Sequence, residues 1–498
     1  MRPVILFQGY SSTTGSGYST AVTGESITDG VQSEVTYTIC KGHTSLMNTI
    51  DINQSANINI NLLGSADEKM NFLRNLNITE KSLAIVVVAR KVEGKRVQTN
   101  ARLASDIAVP ISDVSEFFFH YGDAYVSSIT TGGEYIGVYS FHTETENESV
   151  KLELELKANG VFKFGTLGAD FQVRLESAVE NSQSKVSFKQ MILGVKDSEL
   201  PKREDMVEFA RKFPSQTLNA PKVLAFETTG YEHVVGVGHG FDPIAINRNK
   251  LVGTGSRDLG LAGELGKVTQ LINQIHEIQS IYDFYGGYSD PKLREVAVQA
   301  KQDLASLQRI FSAFDSNPIQ DLSIPHLPSL SKGTPRIQYT ISFSPEFGRR
   351  GAQEPKTPFD LFIGYDEYIK NKTKITGIQM RSDTRVNNII VDFESTVGRH
   401  RESYGKAEGG WSKKLLLGSD DFIKKIEIRS DRDVDQLGFY VDLKNNRWVV
   451  SGGNGGKDHT FVVGDGSFIL GFRGFYSNII DQIDFVYATF HPAKWSAS

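Results

Sequence analysis

Cysteine is almost absent from this chain. Cys40 is the single one in 498 residues, which excludes an internal disulfide and a thiolate-built metal site. Long apolar runs are missing too: no stretch of about 18 consecutive apolar residues occurs, so no membrane-spanning helix is encoded. Neither sign of charge dominates. The net charge is −5 with both signs interspersed, so the basic footprint of a nucleic-acid partner is lacking. The ten histidines are scattered and none falls in a His-Glu-x-x-His pair. The glycine-rich "GVGHGFD" and "GTGSRDLG" are not followed by the Lys-Ser/Thr that a phosphate loop requires. Asp431, Asp433 and Asp435 mimic the opening of a calcium loop, but Gln436 stands where the sharp turn needs glycine. The sequence therefore predicts no enzyme, no metal and no cofactor. The first twenty residues carry one basic residue and a short apolar run, too little for a convincing signal peptide.

What is present is an ordinary globular composition, 39% hydrophobic and 23% charged. Three regions differ in pattern. Residues 1–257 mix strand-like and helical runs. "SLAIVVVARKV" (82–92) is a buried-strand pattern rich in β-branched residues. "ADEKMNFLRNL" (66–76) puts Met70, Leu73 and Leu76 on one helical face. In "SVKLELELKANGVFKF" (149–164) Leu152, Leu154 and Leu156 alternate with charged residues, Asn159-Gly160 supplies a turn, and Phe162 and Phe164 resume the period of two. Residues 258–316 switch to three-four spacing broken by "YGGYSDP" (285–291), which predicts a helical hairpin with Pro291 in the first turn of its second helix. Pro318, Pro325, Pro328 and Pro335 then mark a linker over 317–336. Residues 337–498 carry short alternating runs punctuated by Gly, Asn and Asp, the pattern of an all-β domain able to fold alone.

"YGDAYVSSITTGG" (121–133) reads as a strand that ends on two glycines, which weaken a strand interior. With Tyr121, Gly122, Tyr125, Gly132 and Gly133 at its spacings, the stretch resembles the signature of the membrane attack complex/perforin (MACPF) domain. Asp123 and Ala124 depart from the usual Thr/Ser and His. "GSGYSTAVTG" (15–24) and "HTSLMNTIDINQSANINI" (43–60) resemble neighbouring segments of such domains. The resemblance implies an α+β fold: a bent antiparallel sheet flanked by helices, with the glycine pair at the bend. It also implies two segments, near 52–80 and 146–188, that are short helices in a soluble monomer. They unfurl as β-hairpins into a ring-shaped homo-oligomeric barrel in a target membrane. A barrel must close, because an open edge in lipid leaves unpaired backbone groups. Ile58, Ile60, Leu152, Leu154, Leu156, Phe162 and Phe164 are the membrane-insertion candidates.

"GGNGGKDHTFVVGDGSFILGFRGFYSNIIDQIDFVYATF" (452–490) resembles the last strands of jacalin-related lectins, which are β-prisms. "ITGIQM" with "NNIIVDF", and "DDFIKKIEI" with "VDQLGFYVD", resemble preceding pairs. In that family a Gly-x-x-x-Asp loop holds sugar, and Ser477, Asn478, Ile479 and Asp481 occupy its place here, with Ser477 replacing the glycine. The paired glycines expected near the domain start are reduced to Gly364. The implied protein is a secreted pore-former brought to its membrane by a glycan or lipid-headgroup receptor. The competing expectation is a non-lytic carbohydrate-binding or adhesion protein with the same fold.

Overall fold

A computed structural model of the chain describes residues 4–30, 32–41, 45–46, 49–50, 68–69, 72–73, 76, 83–142, 152–153, 156, 175, 185–196, 199–254, 259–349, 356–360, 368–369, 371–395, 398–418, 420–442, 447–464 and 466–496. Ile58, Ile60, Leu154, Phe162, Phe164 and Gly364 lie outside the described residues. The chain divides into two compact units. One holds Met1–Thr269 with Asp303–His326, and the other holds Gln270–Gln302 with Leu327–Ser498.

The first unit is built on an eight-stranded antiparallel sheet. Its strands are β1 (Gln8–Tyr10), β2 (Gly17–Thr20), β3 (Val22–Asp29), β4 (Gln32–Lys41), β5 (Leu83–Leu103), β6 (Ala124–His142), β7 (Lys185–Leu193) and β8 (Lys222–Gly230). β5 and β6 are long, and each changes partner part-way along. β5 pairs with β4 up to Val92 and with β3 from Lys95. β6 pairs with β8 up to Gly132 and with β7 from Glu134. The change-over coincides with a register shift between Val92 and Gly94.

The glycine pair sits at that point. Gly132 opposes Val92, and a Cβ on it would lie 2.1 Å from the Lys91 carbonyl oxygen. A Cβ on Gly133 would meet Leu218 Cδ2 at 2.5 Å and the Leu193 carbonyl oxygen at 3.0 Å. Gly132 is thus required by a close backbone approach that a side chain would open.

Residues 83–89 are buried on both faces, which is why they read as a continuous apolar run rather than an alternating one. Leu83, Ile85, Val87 and Ala89 face a cluster that includes Leu152, Leu156 and Leu175. Ala84, Val86 and Val88 face another with Leu46, Ile50, Leu73 and Leu76. Leu152 and Leu156 are helical and fully buried. Their spacing suits this state as well as a strand, since i and i+4 share a helix face as well as a strand face. Helices α1 (Val114–Tyr121), α2 (Met206–Lys212) and α3 (Asp242–Val252) also belong to the unit. The segment expected as a linker begins tethered to it. Asn247 Nδ2 donates to the carbonyl oxygens of Pro318 at 2.9 Å and Gln320 at 2.7 Å.

The helical hairpin forms as α4 (Gly260–Phe284) and α5 (Pro291–Ser316), with Pro291 opening the second helix. Asp290 caps α5, its Oδ1 accepting from Leu293 N at 3.1 Å. The end of the hairpin around this turn belongs to the second unit. Tyr285 stacks on Phe468 with ring centroids 4.1 Å apart, and its hydroxyl donates to the Thr373 carbonyl at 2.7 Å. The all-β domain expected at 337–498 is therefore completed by residues 270–302.

Three sheets make up the rest of that unit. The first contains β9 (Thr334–Phe343), β10 (Phe347–Gly348), β11 (Thr357–Asp360), β21 (Ser467–Tyr476) and β22 (Ile480–Ser496). The second contains β12 (Lys374–Ser382), β13 (Val386–Ser395), β14 (Gly398–Gly405), β15 (Gly410–Trp411) and β16 (Leu415–Leu416). The third contains β17 (Lys425–Ser430), β18 (Val434–Asp442), β19 (Arg447–Gly452) and β20 (Lys457–Val462). All three bury side chains in the core, among them Ile389, Val391, Ile426, Ile428, Leu437, Ile483 and Phe485. Phe439 of the third sheet meets Phe472 of the first at 5.3 Å between centroids.

Candidate functional site

The loop singled out by sequence is the turn between β21 and β22. Ser477 N donates to the Ile479 carbonyl at 3.0 Å, which tightens the turn and leaves Asn478 exposed. The register shifts beside it: Tyr476 opposes Ile480 and Phe475 opposes Gln482, so Asp481 is the extra residue of a β-bulge. Bulges re-aim side chains next to functional sites.

Asp481 is 4% exposed. Its Oδ1 takes Lys356 Nζ at 2.6 Å, while Oδ2 is buried without a hydrogen bond among the described residues. The lysine therefore occupies one face of the carboxylate on which a sugar hydroxyl would have to dock. Gly348, at φ +85°, lies against the same residue, and a Cβ on it would sit 2.2 Å from the Asp481 carbonyl oxygen. This glycine therefore lies beside the aspartate. Sequence reasoning missed both Lys356 and Gly348. "EFGRRG" (346–351) held a signal for the glycine; nothing local signalled the lysine.

The other candidates belong to the first unit. Gly122, at φ +81°, ends α1, its N–H donating to the Phe118 carbonyl at 2.8 Å. Tyr121 and Tyr125 are buried against Tyr231, whose hydroxyl donates to the Tyr121 carbonyl at 2.9 Å. Asp123, which departs from the expected residue type, is fully buried and accepts from Ser12 N at 2.7 Å. Burial pushes its carboxyl above the usual range, partly offset by Ser12 and Arg248. Arg248 Nη1 also holds Glu232 Oε2 at 3.0 Å. These residues tie the end of α1 to the sheet.

A conserved-domain comparison places the C-terminal module. The model of the family "Jacalin-like lectin domain" matches residues 351–486. Residues 351–486 are a jacalin-like lectin domain. A banana (Malaysian) lectin structure is 16% identical, covering 31% of this chain and 99% of its own, with a TM-score of 0.24. A mannose-binding jacalin-related lectin from Ananas comosus is 15% identical, covering 30% and 99%, with a TM-score of 0.25. A lamprey immune protein is 17% identical, covering 30% of this chain and 44% of its own, with a TM-score of 0.24. The family match carries the assignment, not these likenesses. No curated protein matches the chain. No MACPF family match is found for the first 257 residues, so the family named there on residues 121–133 stays a resemblance. No described helix is long and apolar enough to cross a membrane.

Proposed function

We propose that this protein binds carbohydrate through its jacalin-like domain and thereby docks its first unit on a glycosylated surface. The observation that carries this reading is the family match over residues 351–486, which falls on a module of three antiparallel sheets around one core. Relatives described as lectins, one of them mannose-binding by its name, support the ligand class. The full chain on a glycan array is the test. Binding that free monosaccharide competes away is the expected result, and no binding to any glycan rejects the reading.

A second reading, the perforating one, is favoured by one topological observation. Lys41 opposes Leu83, Leu83 opposes Phe141, and Phe141 opposes Val186. The chain between β4 and β5 and the chain between β6 and β7 thus leave and re-enter the sheet at the same end, side by side. Two hairpins extending from that end would continue four strands already in register. Each would supply the roughly 9–11 residues a tilted membrane strand needs. In this reading the protein acts outside the producing cell, as a monomer in solution and a ring on the membrane. Dye release from liposomes made with target-cell lipid tests it. Vesicles that bind the protein and keep their dye leave the docking function alone.

A further inference from the structure

Trp411 and Leu416, on the short strands β15 and β16, are 50% and 63% exposed. Trp411 opposes Arg381 of β12, and Leu416 opposes Gly377 of the same strand. Positions 377 and 381 are four apart with no register shift between them, so both point to one face of the second sheet. Ile378 and Met380 between them point the other way and are fully buried. Leu415 and Leu417 are buried too, so the run Leu415-Leu416-Leu417 keeps only its middle residue outside. One exposed leucine is ordinary on a protein surface. A tryptophan on the same outward face is a second apolar group beside it.

That face is also cationic. Arg381 lies on the Trp411 ring, its Cζ 3.6 Å from the centroid, and its Nη1 donates to the Ala407 carbonyl at 2.7 Å. Lys414 and Arg401 share a single carboxylate. Asp392 Oδ2 takes Lys414 Nζ at 2.7 Å, and its Oδ1 takes Arg401 Nε at 2.6 Å. Gly377 leaves room for the lysine stem to cross the sheet: a Cβ on it would lie 3.1 Å from Lys414 Cε. Lys413 is exposed and makes no ion pair among the described residues. From Gly398 to Gly418 the chain carries five lysines and arginines against two glutamates, in a protein of net charge −5. The positive excess is local.

Tryptophan, leucine and lysine side by side suit the boundary between water and lipid. An indole ring is amphipathic and settles at headgroup depth. An apolar side chain beside it buries at the edge of the acyl chains, and that burial adds to the attraction of basic residues for anionic headgroups. Guanidinium donors suit phosphate oxygens in particular. A protein partner fits this face less well, because lysine is depleted from protein interfaces and two lysines stand between Trp411 and Leu416.

We propose that the outward face of the second sheet, through Trp411, Leu416, Lys413 and Arg381, docks on the surface of an anionic phospholipid bilayer. The proposal does not rest on the carbohydrate reading, and vesicles free of sugar keep the two apart. The full chain is sedimented with vesicles of phosphatidylcholine alone and of phosphatidylcholine mixed with phosphatidylserine. Binding to the mixed vesicles, weakened by added salt, is the expected result. Lipid brominated on its acyl chains should quench part of the tryptophan fluorescence. Lys413→Glu, at an exposed position, should weaken binding roughly tenfold or more. Trp411→Ala with Leu416→Ala should weaken it and remove most of the quenching. Lys457→Glu reverses the same charge at an exposed position of the third sheet and should keep binding within about threefold. No binding to the mixed vesicles overturns the proposal. So does binding that the Lys413 and the Trp411/Leu416 variants both retain, or that Lys457→Glu weakens as much as Lys413→Glu. A concentration-dependent dimer in lipid-free solution that Leu416→Glu dissociates also overturns it, because the face then belongs to a second copy of the chain.

Discussion

Lys69 Nζ lies 2.6 Å from Glu134 Oε2, and the two side chains are 2% and 0% exposed. Glu134 follows Gly132 and Gly133 directly on β6, and its other oxygen takes Arg90 Nε at 2.6 Å from the facing strand. Lys69 also donates to the Ile50 carbonyl at 3.1 Å. The pair thus fastens the chain between β4 and β5 to the sheet, beside the point where β5 and β6 change partners. A buried pair adds little net stability over an apolar replacement, but removing one partner strands the other charge. Because Arg90 stays on the other oxygen of Glu134, Lys69→Met should cost less than the about 3–5 kcal/mol of a fully stranded charge, read as a lowered urea midpoint. Lys69→Met with Glu134→Gln should recover part of the loss. A single variant as stable as wild type would mean the pair does not form.

The two glycines make different demands. At Gly132 an added methyl meets a carbonyl oxygen of the adjoining strand, which can retreat only by opening the ladder. At Gly133 the nearest atom is the end of the flexible Leu218 side chain. Overpacking costs about 1–3 kcal/mol where neighbours can adjust. Gly133→Ala should stay in that range, and Gly132→Ala should exceed it or prevent folding. Equal melting temperatures for the two variants would refute the backbone argument.

The alternating burial of Lys425–Ser430 shows why the prism strands were legible: one face is in the core, and period two survives in the residues. The hairpin was legible for the same reason at helical period. Its allegiance was not, because Tyr285 finds Phe468 through tertiary packing that no local pattern records. The state of Leu152 and Leu156 was not legible from their pattern alone, because a run of alternate leucines also repeats at i and i+4. Asp481 was legible from its motif, but Lys356 reaches it from a strand start distant in sequence. In sequence Asp435 reads only as part of a calcium-loop opening that lacks its glycine at Gln436.

Acid should unfasten one contact of the C-terminal unit in a defined direction. Asp421 Oδ1 takes Arg447 Nη1 at 2.6 Å, and this bond holds the carboxyl below its usual range. A depressed carboxyl contributes stability above its unfolded value, about 3.9, and loses it as pH falls through the folded value. Arg447→Met should remove about 1 kcal/mol at neutral pH and flatten the decline of stability below about pH 4. An acid limb as steep in the variant as in wild type would assign the decline to other carboxylates.

The end of the helical hairpin should behave as part of the prism core. Tyr285 contributes a stacked ring and a hydroxyl shared between the carbonyls of Thr373 at 2.7 Å and Tyr368 at 3.1 Å. Tyr282 donates to the His491 carbonyl at 2.8 Å and meets Phe490 edge-on at 4.9 Å. Asp290 Oδ2 accepts from Ala493 N at 2.7 Å. Three residues around one turn therefore satisfy backbone groups at both ends of the domain's sequence. Truncating a buried aromatic costs about 3–5 kcal/mol, while Tyr285→Phe leaves the packing and strands only the carbonyls, about 1–3 kcal/mol. Tyr285→Ala should thus destabilise more than Tyr285→Phe. A fragment of residues 337–498 should melt well below one of residues 270–498, because it exposes the apolar surface around Phe468 and Phe490 that the hairpin covers. Equal melting temperatures for the two fragments would show that the prism is complete without the hairpin.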